Sequence, residues 1–503
     1  MNIRKFLVRG ARSYPDKPFV IFEDRKISFL TLRDASFTLA NYLINSGVEK
    51  SQKIAVFLPS NPRAVFSYLG VFSMGGVLVP LNFMLTEEEV IHFINHSESS
   101  VLITQPKKGV DLLWIKKSCP RLREIIVSTQ EETPFVSWDD ILRKVMPEEP
   151  PVPIEQNDLA AICYTSGSTG HPKGAMLTYR HLDNCNRAMN YYLELSSLDI
   201  FLCAGLPFAH LGGFDYITLT LYSGATFVLM ERFHPLETLR NIEKYKPTFM
   251  WLVPSMYVAI LSLKEYDKFD LSSLRYVNVF GAPSSPALLR KFHTVCPQAH
   301  LLNGWGMTET AAPNCYMPPG IEKIESIGKF TAGLEPKIVD SQGNRLGPYQ
   351  QGELWVKGEV VMVGYYREPG LTKEVITDEG WLKTGDIAYY DEDDLFYIIG
   401  RKRDMIKVAG ELVFSPEVEE KIHLHPKVQE VAVVGFPDKL RGEVPKAFVV
   451  LKEAHHIREQ ELRDFLKKHL AHFKIPHQFE FVDELPKTKS GKVNKEALKK
   501  ARV

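Results

Sequence analysis

Residues 159–174 read LAAICYTSGSTGHPKG, an apolar run that leads into a loop of small hydroxyl residues and glycines. The apolar run predicts a buried strand, and the residues from Thr178 onward have a helical pattern. Backbone N–H groups and hydroxyls in such a loop converge on phosphate oxygens, and Lys173 adds a mobile positive charge. Gly174 stands where a Walker A motif needs Ser or Thr, and GxGxxG spacing is missing. We interpret the loop as a polyphosphate site rather than a flexible Ser/Gly linker.

Apolar runs and helical patterns alternate on both sides of this loop, which predicts an α/β fold with a mostly parallel sheet. The uncharged stretch 64–86 is long enough to span a bilayer, but glycines and Pro80 interrupt it. We favour a buried helix that ends at Gly75 and Gly76, followed by a buried strand at 77–81. Other buried strands are predicted at 53–59, 99–104, 124–128, 226–230, 248–254 and 276–281.

The pattern changes after residue 330. Short alternating strands between Gly, Asp and Asn turns predict a β-rich subdomain over 330–400. The charge run GRKRD at 400–404 follows and is interpreted as a hinge or a solvated turn. Residues 401–503 hold 22 Lys and Arg against 16 Asp and Glu, net +6, which leaves −6 for 1–400 in a neutral chain. A small basic C-terminal domain is the natural interpretation.

The chain has 503 residues, enough for two to four packed units at ~100–200 residues each. Its 61 basic and 61 acidic residues cancel, whereas a nucleic-acid binder normally carries a basic excess, so we expect no nucleic-acid partner. The six cysteines form no CxxC pair and are too sparse for a disulfide framework. Residues 1–16 carry charges throughout and lack the apolar core of a signal peptide. We therefore expect reduced thiols and a cytoplasmic protein without a transmembrane span.

A second cluster, NGWGMTET at 303–310, follows the apolar run AHLLN. Trp305 between two glycines offers a flat face to a purine or another planar group. Glu309 beside a hydroxyl is suited to hold Mg²⁺ near phosphates. Taken alone, both residues are also explained by turn packing and by a carboxylate at a helix start.

A third and a fourth cluster lie nearer the end of the chain. In WLKTGD at 381–386, Asp386 is suited to accept hydrogen bonds from two ribose hydroxyls, and Arg401 to reach the same sugar or a phosphate. The basic run LPKTKSGKV at 485–493 is the fourth cluster. Each has a simpler alternative, namely a turn carboxylate, a surface arginine and a solvated tail.

Together the four clusters resemble the adenylate-forming superfamily: acyl- and aryl-CoA synthetases, nonribosomal peptide adenylation domains and beetle luciferases. The family's phosphate loop is similar to YTSGSTGxPKG, as at 164–174. Its adenine-side segment is similar to GYGMTE, with Trp305 here in place of Tyr. The resemblance extends from about residue 14 to Lys492. The family segments GELWVKG, WxKTGD, GRxxD and PKTxxGK are found at 352–358, 381–386, 400–404 and 486–492.

The resemblance implies an α/β fold in two domains. Residues 1–402 would form an N-terminal domain of two α/β subdomains plus a distorted β-barrel, and 403–503 a small mobile α+β lid, with the active site between them. A carboxylic acid would attack the α-phosphate of ATP to give an acyl-adenylate and pyrophosphate. A thiol, usually that of CoA, would then take the acyl group and release AMP. ATP, CoA and Mg²⁺ are the implied cofactors, and a homodimer is one expected assembly.

The resemblance also implies a role for each motif residue. Thr165 and Glu309 would lie at Mg²⁺, and Lys492 would lie between the carboxylate and the α-phosphate, where a cation lowers the repulsion of two anions. The implied catalytic residues are Lys492, Lys173, Glu309, Thr308 and His210. The implied ATP and AMP contacts are Thr165, Ser166, Gly167, Ser168, Thr169, Gly170, Lys173, Gly281, Ala282, Pro283, Asn303, Gly304, Trp305, Gly306, Met307, Thr308, Asp386, Arg401 and Lys492.

The remaining implied sites concern the acid, the thiol and the hinge. Arg403 matches the hinge position, where the family usually has Lys or Asp, and Val408 and Ala409 depart from the Ser and Gly that are common before Gly410. No Lys, Arg or Asp is clearly placed to bind a second charged group, which favours a medium- or long-chain fatty acid. The CoA-side residues would be Lys407, Ala409, Gly410 and Glu411, and the acyl pocket would contain His210, Gly213, Phe214 and Phe280.

Several alternatives stay open at this point. The acid is aryl in many members of the resembling family, so an aryl-acid–CoA ligase is the main alternative. A stand-alone adenylation enzyme would load a carrier protein instead of CoA, and a luciferase-like oxygenase would oxidise its acyl substrate. A nucleotide-binding pseudoenzyme is disfavoured because Lys492, Glu309 and Asp386 are all present.

Overall fold

A computed structural model describes residues 3–165, 172–281, 286–318, 320–321, 323–409, 411–438, 440–452, 456–488 and 493–500. Its helices are α1 Ile3–Ser13, α2 Phe29–Asn45, α3 Pro62–Ser73, α4 Glu87–Ser97, α5 Leu112–Ser118, α6 Trp138–Lys144, α7 Tyr179–Tyr192, α8 Leu211–Ser223, α9 Pro235–Tyr245, α10 Pro254–Leu261, α11 Pro286–Val295, α12 Pro369–Val375, α13 Ser415–His423, α14 Glu459–Leu466 and α15 Lys495–Lys500.

The strands alternate with these helices over the first two thirds of the chain. They are β1 Pro18–Phe22, β2 Arg25–Ser28, β3 Lys53–Phe57, β4 Val77–Pro80, β5 Val101–Thr104, β6 Glu124–Val127, β7 Val136–Ser137, β8 Leu159–Thr165, β9 Lys173–Thr178, β10 Ile200–Ala204, β11 Thr226–Met230, β12 Phe249–Leu252, β13 Tyr276–Val279, β14 His300–Asn303, β15 Cys315–Tyr316, β16 Lys329–Phe330, β17 Leu334–Val339, β18 Gly352–Gly358, β19 Leu382–Tyr390, β20 Phe396–Arg401, β21 Met405–Val408, β22 Glu411–Phe414, β23 Val428–Asp438, β24 Gly442–Leu451 and β25 Gln478–Phe481.

Two seven-stranded sheets form the bulk of the structure. One has the strand order β14-β13-β12-β10-β11-β1-β2 and the other β7-β6-β5-β3-β4-β8-β9. Neighbouring strands are parallel except for the edge pairs β1 with β2 and β8 with β9. Buried parallel strands need apolar side chains on both faces, which is why short continuous apolar runs predicted them. The α/β fold is therefore confirmed.

The stretch 64–86 folds as predicted, with α3 ending at Ser73 just before the glycine pair and β4 beginning at Val77. Every residue of β4 is buried inside its sheet. Among the helices that the structure describes, none is long and apolar enough to cross a bilayer. All six cysteines of the chain are free and buried.

The β-rich region after residue 330 is an antiparallel sheet of four strands, β17-β18-β19-β20. It packs around a buried cluster that includes Ile338, Leu354 and Leu382. The expected distorted β-barrel is not closed in the described part of the chain, because β17 and β20 stay at opposite edges of this sheet. Trp305 belongs to the same cluster, so the sheet reaches the predicted adenine-side segment.

A separate α+β unit follows the 3₁₀ turn Lys402–Asp404. Its sheet has the order β22-β21-β24-β23, with β25 paired to β24. Neighbouring residues of β23 face opposite sides: Val433 packs with α13 and α14, while Val434 packs with Leu498 of α15. The predicted small C-terminal α+β domain is confirmed, and its boundary at 402/403 stays a prediction.

Candidate active site

The carboxyl ends of strands from the two large sheets meet at one place. Asn82 follows β4 in one sheet and His210 follows β10 in the other, with Asn82 Nδ2 and His210 Nε2 3.4 Å apart. The Ser60 hydroxyl, after β3, donates to Leu206 O at 3.0 Å and accepts from Phe208 N at 3.2 Å. In α/β sheets, ligands bind outside the carboxyl ends of strands. This junction is therefore the candidate active site.

The predicted phosphate loop lies in sequence between β8 and β9, which pair as an antiparallel hairpin. Thr165 is paired with Lys173, and the Thr165 hydroxyl lies 3.5 Å from Lys173 O. The helix predicted after the loop begins at Tyr179 with Thr178 before it, but β9 intervenes. The predicted loop contacts Ser166, Gly167, Ser168, Thr169 and Gly170 lie outside the described residues.

Tyr365 connects this hairpin to the predicted magnesium carboxylate. Its hydroxyl donates to Glu309 Oε1 at 2.7 Å, and Lys173 Nζ lies 5.3 Å from the centre of its ring. The backbone of Met362 donates to Glu309 O at 2.8 Å, which holds the two segments together. Burial, and then the negative charge of Glu309, raise the pKa of the Tyr365 phenol. Sequence reasoning missed Tyr365, because nothing in GYYREP marks it as a partner of Glu309.

The adenine-side segment follows β14, beside the end of β13. Val279 and Asn303 are register partners at the ends of these parallel strands, and Gly304 N donates to Val279 O at 2.8 Å. A Cβ on Gly304 would lie 2.5 Å from the Asn278 side-chain oxygen, so a larger residue there would require the Asn278 side chain to move. Thr308 lies in a 3₁₀ turn with Glu309. Gly281 also follows β13, and the predicted contacts Ala282 and Pro283 lie outside the described residues.

Asp386 and Arg401, the predicted ribose residues, are register partners on β19 and β20. Arg401 Nε lies 2.7 Å from Asp386 Oδ1, and the Trp305 indole N–H donates to Asp386 Oδ2 at 2.9 Å. Only 3% of Asp386 is exposed, and this burial raises its pKa, while Arg401 and Trp305 lower it. The structure thus brings the second and third sequence clusters together.

The predicted acyl residues lie around the start of α8. His210 immediately precedes this helix, and a Cβ on Gly212 would lie 2.4 Å from the Phe280 ring. Gly213 is closely packed on Pro207 O. Phe214 instead packs on Tyr68 and Phe72 of α3, each with ring centres 5.9 Å away. The acyl roles of these residues stay predictions.

Asp215, one residue further on α8, was missed by sequence reasoning. It is 6% exposed, and no hydrogen bond or ion pair among the described residues involves its carboxyl oxygens. Burial raises the pKa of this carboxyl well above 3.8. Removing a carboxylate from water without a partner is costly, so the neutral form is favoured. Its apolar flanks, Phe214 and Tyr216, gave no signal of a buried acid.

The predicted CoA-side residues lie on the β21–β22 hairpin. Lys407 is exposed on β21, and Val408 pairs with Glu411 of β22. Ala409 has φ +50°, in the left-handed region, and Gly410 lies outside the described residues. The hinge candidate Arg403 lies in the 3₁₀ turn between β20 and β21.

Lys492 also lies outside the described residues, but the chain on either side of it is described. Lys487 and Val493 form an antiparallel bridge, and Asn494 N donates to Pro486 O at 2.7 Å. Lys487 Nζ is 3.0 Å from Glu430 Oε1. The described residues on either side of Lys492 are thus held close to each other, and Lys487 is held to Glu430 on β23.

The predicted magnesium residues suit a metal that is held mainly by substrate. Within the described residues, no group of three His, Cys, Asp or Glu side chains is placed to bind a metal. Mg²⁺ usually takes one or two carboxylates and completes its shell with phosphate and water oxygens. Glu309, whose Oε1 accepts from the Tyr365 hydroxyl, is one carboxylate of this kind, and the magnesium roles of Glu309 and Thr165 stay predictions.

Comparisons with known proteins agree with this geometry. Residues 7–366 match the family model of the AMP-binding enzymes, and residues 417–492 match the model of their C-terminal domain. A long-chain-fatty-acid–CoA ligase of Bacillus subtilis (strain 168) is 32% identical, with 99% of this chain and 94% of that protein covered. A feruloyl-CoA synthase of an Amycolatopsis species is 34% identical, with 97% of this chain and 96% of that protein covered.

Solved structures resemble the whole chain. An anthranilate CoA ligase in complex with anthranoyl-AMP has a TM-score of 0.93 at 27% identity, and covers 100% of this chain and 97% of its own. ATP-bound MatB from Rhodopseudomonas palustris has a TM-score of 0.91 at 28% identity, over 100% and 99% of the two chains. The resemblance inferred from the four sequence clusters is therefore confirmed. The chain belongs to the AMP-binding enzyme family and, within it, to the acyl-CoA synthetase branch of the adenylate-forming acid–thiol ligases.

Proposed function

We propose that this chain is an AMP-forming ligase that joins a medium- or long-chain fatty acid to CoA. An oxygen of the acid's carboxylate attacks the α-phosphorus of ATP, the bond to the bridging oxygen breaks, and pyrophosphate leaves. The CoA sulfur, having lost its proton, then attacks the acyl carbon, and AMP departs with the electron pair of the acyl–oxygen bond. Both steps exchange one bond for another and need no oxidant or reductant.

The absence of charge in two segments that the family resemblance assigns to the acyl pocket is the observation that carries the fatty-acid assignment. Residues 205–214 and 311–318 contain no Asp, Glu, Lys or Arg. The neighbouring Asp215 is driven toward its neutral form by burial. An alkyl chain placed there leaves no charge unpaired, and its burial is favourable by roughly 0.8 kcal/mol for each CH₂.

The triphosphate would lie at the β8–β9 hairpin. Lys173 would neutralise charge on the leaving pyrophosphate, a role that needs a preorganised cation. Tyr365 holds the Glu309 carboxylate in one orientation, and Glu309 with Thr165 would hold Mg²⁺. The metal, when bound, supplies charge neutralisation for the phosphates. Asp386 and Arg401 would hold the ribose, and Lys492 would be recruited from the C-terminal domain.

An aryl acid is the second candidate substrate. The feruloyl-CoA synthase at 34% identity and the anthranilate ligase with TM-score 0.93 both act on ring acids, as their names state. A hydroxyl-bearing ring beside Asp215 would give that buried carboxyl a hydrogen-bond partner. This alternative predicts that ring acids are activated faster than alkyl acids of similar length.

A pyrophosphate-release screen decides between the two substrates. Purified enzyme, ATP and Mg²⁺ are supplied with straight-chain acids of graded length and with cinnamic, benzoic and anthranilic acids. We expect the highest kcat/KM with a medium- or long-chain alkyl acid. A ring acid faster than every alkyl acid would replace the fatty-acid assignment. AMP release that CoA does not accelerate would indicate a carrier protein as acceptor, and light emission with oxygen would indicate a luciferase-like oxygenase.

The role of Lys492 is tested by a pair of lysine variants. Lys492→Ala should slow pyrophosphate release by ~10²–10³, the usual loss for one preorganised charge, yet spare CoA transfer from added acyl-adenylate. Lys487→Ala is the matched control, since that lysine lies in the same basic run but pairs with Glu430. Equal effects of the two variants would contradict the assignment.

We also propose a cytoplasmic location, supported by six free thiols and by the absence of any disulfide among them. A homodimer stays a hypothesis. Fractionation of cells that express the native chain and light scattering of the purified protein test the two statements separately.

A further inference from the structure

Trp305 occupies a position where the resembling family usually has tyrosine. Its indole N–H forms a hydrogen bond with Asp386, the carboxylate proposed to bind the ribose. The indole Nε1 donates to Asp386 Oδ2 at 2.9 Å, while Arg401 Nε lies 2.7 Å from Asp386 Oδ1. Trp305 is 7% exposed and Asp386 is 3% exposed. One carboxylate oxygen therefore accepts a hydrogen bond from Trp305, and the other is in an ion pair with Arg401, inside the fold.

The hydrogen-bond accepting positions that remain on the Asp386 carboxylate match the two hydroxyls of a ribose. Each oxygen of an ionised carboxylate can accept two hydrogen bonds, so each oxygen keeps at least one accepting position beside the Trp305 hydrogen bond and the Arg401 ion pair. A ribose presents two neighbouring hydroxyls, one for each position. An indole N–H is only a donor, whereas a tyrosine hydroxyl both donates and accepts. In this hydrogen bond Trp305 can therefore only donate, and Asp386 can only accept.

Trp305 is itself held in place. Its backbone N–H donates to Cys315 Sγ at 3.2 Å, and its carbonyl accepts from Asn314 N at 3.1 Å. The Phe330 ring packs edge-on against the indole, with ring centres 5.2 Å apart. A rigid donor fixes the plane of the carboxylate better than a mobile one.

We infer that Trp305 is a positioning residue for nucleotide binding, because its indole N–H orients the Asp386 carboxylate toward the two ribose hydroxyls. The inference rests on the proposed function for the placement of the ribose at Asp386. It adds that the aromatic residue of the adenine-side segment controls recognition of the sugar.

The electrostatics of Asp386 point the same way. Burial raises the pKa of this carboxyl; Arg401, then Trp305 and then Arg403 lower it, and Glu309 adds a smaller rise. Loss of the indole N–H would raise the pKa further. A protonated carboxyl has one oxygen that donates instead of accepting, so nucleotide binding would weaken as the pH falls.

Equilibrium binding to AMP, 2′-deoxy-AMP and 3′-deoxy-AMP, measured by calorimetry, tests the inference without the acid or CoA. Wild type should prefer AMP over both deoxy nucleotides. Trp305→Phe keeps an aromatic ring and removes the donor, and should reduce that preference about tenfold, as expected for a lost hydrogen bond to a charged group. It should also make the Kd for AMP rise more steeply than in wild type between pH 8 and pH 6.

A role in packing alone predicts a different result. Trp305→Phe would then weaken all three nucleotides equally, and an unchanged preference would overturn the inference. Phe330→Leu disturbs the packing around the indole and keeps the donor, so it should reduce the preference much less than Trp305→Phe does. A shift with Phe330→Leu as large as that with Trp305→Phe would also overturn it.

Two provisions keep the test decisive. If Trp305→Phe does not fold, benzothienylalanine at position 305 retains the bicyclic shape and replaces the N–H by sulfur, and the same two outcomes apply. If wild type prefers AMP over the deoxy nucleotides but forms no acyl-CoA from any acid, the proposed function is wrong. The inference about Trp305 is then still decided by the nucleotide binding of the variants.

Discussion

The Tyr365 hydroxyl donates to Glu309 Oε1 at 2.7 Å, and the same ring lies 5.3 Å from the Lys173 ammonium group. The predicted phosphate lysine and the predicted magnesium carboxylate thus share one neighbour. Tyr365 reaches this position because the segment around it pairs with the hairpin: Tyr366 N donates to Gly174 O at 2.7 Å. A chain segment without a motif of its own therefore sets the geometry of two motif residues.

Tyr365→Phe should weaken the first half-reaction. The variant keeps the ring under Lys173 and removes a hydrogen bond to a buried carboxylate, which is worth ~1.5–3 kcal/mol when the acceptor is charged. We expect kcat for pyrophosphate release to fall at least about tenfold and the Mg²⁺ requirement to rise. Steady-state assays at varied Mg²⁺ measure both effects.

Tyr366→Phe is the control for that experiment. Its hydroxyl also donates to a carboxylate, Glu98 Oε2 at 3.1 Å, but that carboxylate lies outside the site. It should leave the Mg²⁺ dependence unchanged. An identical loss in both variants would mean that the hydroxyls serve stability only.

Asp215→Asn should stabilise the fold, increasingly so as the pH rises. Burial raises the folded-state pKa of Asp215 above 3.8, so the folded chain holds this proton after the unfolded chain has released it. Folding then costs about 1.4 kcal/mol for each pH unit between the two pKa values, and asparagine removes that cost. Urea unfolding at pH 5, 6, 7 and 8 should show the variant gaining on wild type toward pH 8.

The exposed Asp378, replaced by Asn, provides the comparison for this series. It should shift stability by a constant small amount at every pH. A difference between Asp215→Asn and wild type that is flat from pH 5 to pH 8 would contradict the argument from burial.

Ala409→Gly should slow local opening of the β21–β22 hairpin. Ala409 has φ +50°, and a side chain in this left-handed region costs ~1–2 kcal/mol that glycine avoids. Hydrogen exchange of peptides that cover 405–414 should slow about fivefold, which corresponds to ~1 kcal/mol. Ala471→Gly, at an exposed position with φ −59°, should instead destabilise its region, because glycine there only adds freedom to the unfolded chain. Faster exchange over 405–414 in Ala409→Gly would refute the strain argument.

Arg403→Pro should separate the two half-reactions. Arg403 lies in the 3₁₀ turn between β20 and β21, and a proline there fixes φ near −65° and restricts Lys402 as well. We expect pyrophosphate release to be kept and CoA transfer from isolated acyl-adenylate to slow at least about tenfold, ~1.4 kcal/mol in barrier. Arg403→Ala removes the charge only and should spare both steps. If proline slows both steps equally, or neither, a hinge at this turn is excluded.

The strands of the two large sheets could be predicted because a buried parallel strand leaves a local record, a short run of apolar residues. β9 leaves no such record. KGAMLT becomes a strand because it pairs with β8 on one side and with the segment 363–366 on the other. The expected β-barrel was suggested by family resemblance, and strand patterns alone do not reveal whether edge strands join.

The site could be predicted as four separate groups of residues but not as an assembly. Trp305 and Asp386 are 81 residues apart in the chain, and Tyr365 and Glu309 are 56 apart. Periodicity and spacing report neighbours a few positions away, so contacts across such distances depend on the tertiary fold. Asp215 was missed for a local reason. Its apolar neighbours correctly predict a buried helix, and nothing in that pattern indicates that an acid within it is buried too.

Burial of the six cysteines affects whether a reactive intermediate can acylate the enzyme itself. Burial raises the pKa of the Cys119 and Cys296 thiols to about 11, and of Cys163 and Cys315 to about 12. At neutral pH such a thiol is predominantly protonated, whereas the thiolate is the nucleophile. Cys315 lies against Trp305, within the adenine-side segment. An acyl-adenylate is a strong acylating agent, and an enzyme whose own sulfur atoms are protonated and covered can release or retain it without labelling itself.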